Sequence, residues 1–319
     1  MQEILGAGKD KDVGSDVFGG LSLREKLLWT GGNMGEKDKA ERMLENYADV
    51  FADIVNVLMF GGKRLISPDE LVEVDARSQF KAESGKLHEQ ERDCAKLWRR
   101  NGRTLALLGL ENQTDIDEDM PLRVFGYEGA GYKSQLLDKT KGQRYPVSTL
   151  ILYFGKRHWK KNRTLGSRIS ILEEIRPFVN ECHVHIREIC YLTEEQLAQF
   201  ESDFGVVAEY FVRSRTNPGY RPKQKTIIHP DAFLKLMTVL TGDHRYDRMR
   251  REMEEGENLT MCDVLDYRER IGEERGKAEG EERMSSLVRV LLKDGRLEDL
   301  KRVTGDREYR DKLLREYCR

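Results

Sequence analysis

The sequence predicts an α/β or α+β domain over about residues 35–215, followed by a charged helical region from 216 to 319. Three observations carry this. An apolar set at helical spacing precedes several short aliphatic or β-branched runs, those runs are separated by turn and cap signals, and the C-terminal stretch loses the aliphatic runs and becomes densely charged.

Residues 1–34 are rich in glycine and charge with little periodicity, and read as a disordered or dispensable leader; Met34 offers a second start. From about Lys39 to Phe60, Leu44, Tyr47, Phe51, Ile54, Val55 and Leu58 recur at helical spacing, and Gly61-Gly62-Lys63 ends the helix. Ser67-Pro68-Asp69-Glu70 reads as the cap and first turn of a short helix. Arg92–Trp98 and Thr104–Leu110 read as two strands joined at Asn101-Gly102, a dipeptide that accepts the positive φ of a tight hairpin. A helix starts near Met120-Pro121, behind an acidic run that suits a helix N-terminus. The stretches 147–155 (VSTLILYFG) and 183–192 (HVHIREICYL) are further strands. Thr193 and Gln196 form the capping box of a helix reaching about Val212. In the tail, Gly272, Gly276 and Gly280 align along one side of a helix. Each costs about 1 kcal/mol against alanine. Either another helix comes close there, which would suit a homodimer formed through this region, or the segment is a charged linker.

Composition narrows the function classes. Charged residues are 35 % and hydrophobic ones 38 %, and no apolar run approaches the roughly 20 residues of a spanning helix. The N-terminus has neither the apolar stretch of a signal peptide nor the composition of a transit peptide, so a cytoplasmic location without a membrane partner is expected. The five cysteines form no CxxC pair, which argues against a disulfide frame or zinc ribbon. With 55 basic and 57 acidic residues, any polyanion must be met by a local patch. No phosphate-loop, dinucleotide or Ser-His-Asp pattern is present.

The chemistry concentrates where LALLGLENQ ends. A carboxylate closing a buried strand, Glu111, ionises only beside something positive. Alternation puts Glu111 and Gln113 on one face of the strand and Asn112 on the other. Asp93, 18 residues earlier across the hairpin, can meet Glu111. Two acids and an amide oxygen suit Mg²⁺ or Mn²⁺ better than zinc. Asp75 is a rival ligand, and pairing of Glu111 with a nearby arginine is the competing account. Asp53 and Asn56, deep in the first helix, either add to the site or bond to each other's surroundings. Arg123 and Tyr127, and the run Lys156, Arg157, Trp159, Lys160 and Lys161, combine basic and aromatic groups suited to DNA phosphate and base contact, or else line a solvated loop.

Asp93 followed by Glu111-x-Gln113 resembles the PD-(D/E)XK nuclease core in the form where glutamine replaces lysine. ADVFADIVNVLMFGG, ERDCAKLW, LALLGLENQTDIDEDMPLRVFGY, RYPVSTLILYFG and ESDFGVVAEYF narrow the resemblance to the recombination-promoting nuclease (Rpn, YhgA-like) family, well over about residues 40–215 and loosely over the tail. The resemblance implies a restriction-endonuclease-like α/β core, with a central mixed sheet flanked by helices and a charged α-helical C-terminal extension. It also implies Mg²⁺-dependent cleavage of DNA, with Asp93 and Glu111 as metal ligands and Asp93, Glu111 and Gln113 as the catalytic set. The glutamine removes one positive charge and puts the rate in question. Lys96 is a candidate substitute. The other functional class is a non-catalytic DNA-binding or assembly protein on the same fold.

Overall fold

The computed structural model describes residues 43–74, 77–81, 87–91, 93–137, 143–217, 220, 225–253 and 259–317, the strand segments 77–81 and 87–91 as backbone only. The expected leader and Asp75 lie outside the described residues.

A five-stranded mixed sheet organises the first part, in the order β1 (Leu71–Glu73), β4 (Cys94–Arg100), β5 (Arg103–Gln113), β6 (Val147–Tyr153) and β7 (His185–Glu188). Between β1 and β4, a separate hairpin of β2 (Arg77–Lys81) and β3 (Leu87–Glu91) forms its own two-stranded sheet. β1, β4 and β5 are antiparallel neighbours, whereas β5, β6 and β7 run parallel. The β4–β5 turn is the expected one: Asn101 and Gly102 take φ of 52° and 73°.

Each face of the sheet is covered according to the alternation of its strands. Leu108, Leu110, Leu150 and Leu152 share a core with Val50, Phe51, Ile54 and Leu58 of helix α1 (Ala48–Leu58). On the other face, Ile151 and Tyr153 meet Met120 and Val124 of α2 (Met120–Leu137), which links the parallel strands β5 and β6. Gly131 allows this contact, since a Cβ there would stand 3.0 Å from Val147 and 3.1 Å from Leu107.

Two expected helices are interrupted. A 3-10 turn, Leu44–Asn46, precedes α1, and Tyr47 between them is extended. The helix opened by Thr193 closes after one turn, α3 (Glu194–Leu197), and resumes as α4 (Phe204–Thr216). The intervening residues bond to Asp53 of α1, and that tertiary anchor overrides the local helical pattern.

The expected boundary at 215 does not separate two cores. Phe233, Leu234 and Met237 of α5 (Pro230–Thr241), Tyr246 of α6 (Arg245–Glu252) and Val264 of α7 (Met261–Lys293) belong to the same cluster as α1. A short pair, β8 (Thr226–Ile227) and β9 (Leu259–Thr260), closes this region. The helical region is therefore built onto the α1 side of the sheet domain. A second, small core, Leu287, Leu291, Val303 and Leu313, joins the end of α7 to α8 (Leu297–Gly305) and α9 (Arg307–Tyr317).

Between those cores α7 is exposed on all sides from Gly272 to Arg283. A Cβ at Gly276 or Gly280 would meet nothing within 4 Å, and one at Gly272 would meet only the Arg245 side chain, at 3.4 Å. No close approach within the described chain uses these glycines. Replacing all three with alanine is expected to stabilise α7 by about 3 kcal/mol, at about 1 kcal/mol each. Urea unfolding measures this; a lower midpoint would mean that another copy's backbone packs there.

Candidate active site

The β4–β5 hairpin decides where the acids go. Cys94 pairs with Leu110, so the register brings Asp93 to the strand end that carries Glu111. Asp93 Oδ2 accepts a hydrogen bond from the Asn112 backbone at 2.8 Å. Glu111 and Gln113 then face α2, and Asn112 faces α1, as alternation requires.

On the α2 side three donors converge on Glu111 Oε1: Arg123 Nη2 at 2.5 Å, Gln113 Nε2 at 3.4 Å and Tyr127 OH at 3.5 Å. Arg123 also bonds to Asp117 at 2.8 Å and donates to Tyr127 OH at 3.0 Å. Burial opposes the guanidinium charge, but Glu111, Tyr127 and Asp117 outweigh it and hold Arg123 above its ordinary value. Burial, aided by Glu111, pushes the Tyr127 phenol up to about 12. The positive partner that Glu111 needs is thus an arginine of the following helix. Lys96 is not that partner: it faces α1, with Nζ 3.7 Å from Glu73 and 5.8 Å from the centre of the Phe51 ring.

On the α1 side lies an acid that the sequence reading missed. Glu45, in the turn before α1, is 1 % exposed, and its Oε1 accepts from Asn112 Nδ2 at 3.0 Å. Its Oε2 is buried with no hydrogen-bond partner among the described residues. Burial raises its carboxyl to about 7; its hydrogen bonds oppose the rise and the charge of Asp93 adds to it. Asp93 therefore stands at the lip between Glu45 and the Glu111 cluster, acting on both Glu45 and Tyr127.

The sign of the consequence follows from linkage. Because the folded pKa lies above the ordinary 4.5, stability contributed by neutral Glu45 is complete below pH 4.5 and is lost as pH rises to about 7. The loss amounts to about 3 kcal/mol, at about 1.4 kcal/mol per unit. Glu45→Gln should remove that slope, matching the parent near pH 4.5 and exceeding it by about 3 kcal/mol at pH 8. Denaturant titrations across this window test it; parallel curves for the two proteins would show Glu45 already ionised in the fold.

Two sequence candidates are corrected. Asn56 is consumed by the chain after α1: Oδ1 accepts from Leu65 N and Ile66 N at 3.0 and 2.9 Å, and Nδ2 donates to Ile66 O at 2.8 Å. Asp53 is held by Arg64 at 2.5 Å and by Ser202 N and Oγ at 2.8 and 2.7 Å. Both tie loops to α1, and the first-helix region reaches the site through Glu45 instead.

The basic segment behaves differently from its tryptophan. Gln113 registers with Tyr153, the last residue of β6, so the segment beginning at Lys156 leaves the same end of the sheet as the acids. Lys156, Arg157, Lys160 and Lys161 are exposed. Trp159 is fully buried, edge-on to Tyr153, with its backbone N–H bonded to Glu188 at 2.5 Å. It anchors the loop and cannot stack on a base. Tyr127, also buried, serves Arg123 rather than a surface.

These features define an α/β protein with a buried acid cluster at the end of its sheet and a basic loop beside it. Compared with protein-family models, with curated proteins and with solved structures, the chain matches none. No helix among the described residues is long and apolar enough to cross a membrane.

The donor chemistry of the cluster fits a hard divalent cation. Asp93 and Glu111 offer carboxylate oxygens, and Glu45 Oε2 is a buried acceptor with no donor among the described residues. No group of three or more His, Cys, Asp or Glu placed to hold a metal exists among the described residues. The chain would supply two acids and leave the remaining positions to water and phosphate, as Mg²⁺ commonly accepts.

Proposed function

We propose that this chain is a Mg²⁺-dependent DNA endonuclease, Mn²⁺ being an alternative ion, of the recombination-promoting type that its motifs resemble. The observation that supports it most is the common location of Asp93, Glu111 and Gln113 and the Lys156–Lys161 loop at one end of two parallel strands. A divalent ion held by Asp93 and Glu111 would supply Lewis acidity toward water and toward charge developing on phosphate. Gln113 orients the attacking water through its carboxamide. Arg123, already at Glu111, brings from α2 the positive charge that glutamine at 113 lacks. Lys156, Arg157, Lys160 and Lys161 hold the DNA backbone, and Trp159 fixes their loop from inside.

A second reading has its own observation. Arg123 neutralises Glu111 without any ion, which suits a DNA-binding or assembly protein that no longer cuts. Nicking of supercoiled plasmid with and without Mg²⁺, beside a gel-shift assay in chelator, separates the two. Mg²⁺-dependent nicking supports the nuclease. DNA binding without nicking at any Mg²⁺ or Mn²⁺ concentration supports the other.

A further inference from the structure

The inner face of α2 is spent on the sheet and on Glu111; its outer face has no partner among the described residues. Leu122, Phe125, Tyr132, Leu136 and Leu137 are between 42 and 73 % exposed. Leu122, Phe125, Gly129, Tyr132 and Leu136 fall on one stripe, at offsets of −7, −4, 0, +3 and +7 from Gly129. Gly129 costs this helix about 1 kcal/mol against alanine. Nothing inside the chain needs it, since a Cβ there would meet no atom within 4 Å.

We propose that this face is an isologous interface, on which a second copy of the chain lays its own α2 antiparallel, crossing at Gly129. A two-fold contact requires a surface complementary to itself. The near-symmetric offsets provide it: Leu122 of one copy meets Leu136 of the other, Phe125 meets Tyr132, and the two glycines let the helices approach within the usual 8–10 Å. The area is sufficient. At about 200 Å² for a large side chain, the exposed fractions of these five residues amount to roughly 500 Å² per copy. Two copies would bury about 1,000 Å², where specific interfaces begin. Arg168, bonded to Asp119 at 2.7 Å and Glu118 at 3.2 Å, ties a further segment to the start of α2. That segment carries the exposed Leu172, Ile175 and Phe178. The same helix carries Arg123 on its inner side, so pairing would hold two acid clusters in one assembly. The interface itself does not depend on the nuclease reading.

The test is the mass of the full-length protein by sedimentation equilibrium from about 1 to 100 µM, a span suited to modest affinities. The parent should reach a dimer within it, and Phe125→Glu and Leu136→Glu should each weaken association at least about tenfold with unchanged circular dichroism. Gly129→Cys, at the two-fold axis, should crosslink to itself on mild oxidation, whereas Ser134→Cys, exposed on another side of α2, should not. A parent that stays monomeric overturns the proposal. So does a dimer indifferent to both glutamates, including one dissolved only by Gly276→Leu and Gly280→Leu in α7, or a Gly129→Cys protein that fails to crosslink.

Discussion

Asp93→Ala and Glu111→Ala are each expected to lower Mg²⁺-dependent nicking by about 10³-fold or more, the scale of several kcal/mol of lost charge stabilisation. Neither should unfold the protein. Without Glu111, Arg123 keeps its 2.8 Å bond to Asp117 and is about one-third exposed, so its charge is not stranded in the interior. Without Asp93, the Asn112 N–H loses its acceptor at a half-buried position. That costs about 1–2 kcal/mol. Gln113→Ala, which removes a positioning group and no charge, should fall between, by about 10² in rate. Plasmid-nicking rates normalised to folded protein decide the matter. Parent-like nicking by Asp93→Ala or Glu111→Ala removes the acid pair from the mechanism.

How far such a site can be read in advance depends on how local its contacts are. Glu111, Gln113 and Asp93 are joined by one hairpin with a recognisable turn, and strand alternation then sets their faces. The strands 147–155 and 183–192 announce themselves by aliphatic content, and β6 and β7 fall within them. Glu45 was not legible because its partner, Asn112, lies 67 residues away and the acid sits in a turn broken from α1 at Tyr47. Arg123 was visible as a basic residue, but its direction was not: a helical residue one turn from the strand end reaches back to it only once α2 has packed on β6. Trp159 shows the opposite error. Its neighbours Lys160 and Lys161 suggest a solvated, nucleic-acid-facing loop, and only Tyr153 and Glu188 from other strands reveal it as the loop's anchor. The boundary at 215 failed similarly. Charge density marks helices with one wet face, and it is silent about the buried face that α5, α6 and the start of α7 turn toward α1.

The same logic gives the remaining large effect, at Asp53. Its carboxylate is 4 % exposed and accepts from Arg64, from Ser202 Oγ and from the backbone N–H groups of Glu201 and Ser202. These bonds hold the break between α3 and α4 against α1. Asp53→Ala would leave two backbone donors and a guanidinium without their acceptor and open a gap beneath the break. Removing one partner of a buried charged network costs about 3–5 kcal/mol. For a chain of this length that is a fall of about 10 °C in Tm, at roughly 2–4 °C per kcal/mol. Asp53→Asn keeps the shape and one acceptor oxygen and should lose less. If Asp53 acts only through the fold, nicking per folded molecule, measured well below the lowered Tm, stays within a few-fold of the parent. A variant with parent-like Tm and no nicking would return Asp53 to the site, and the α1 side would then supply two acids to the end of β5 rather than Glu45 alone.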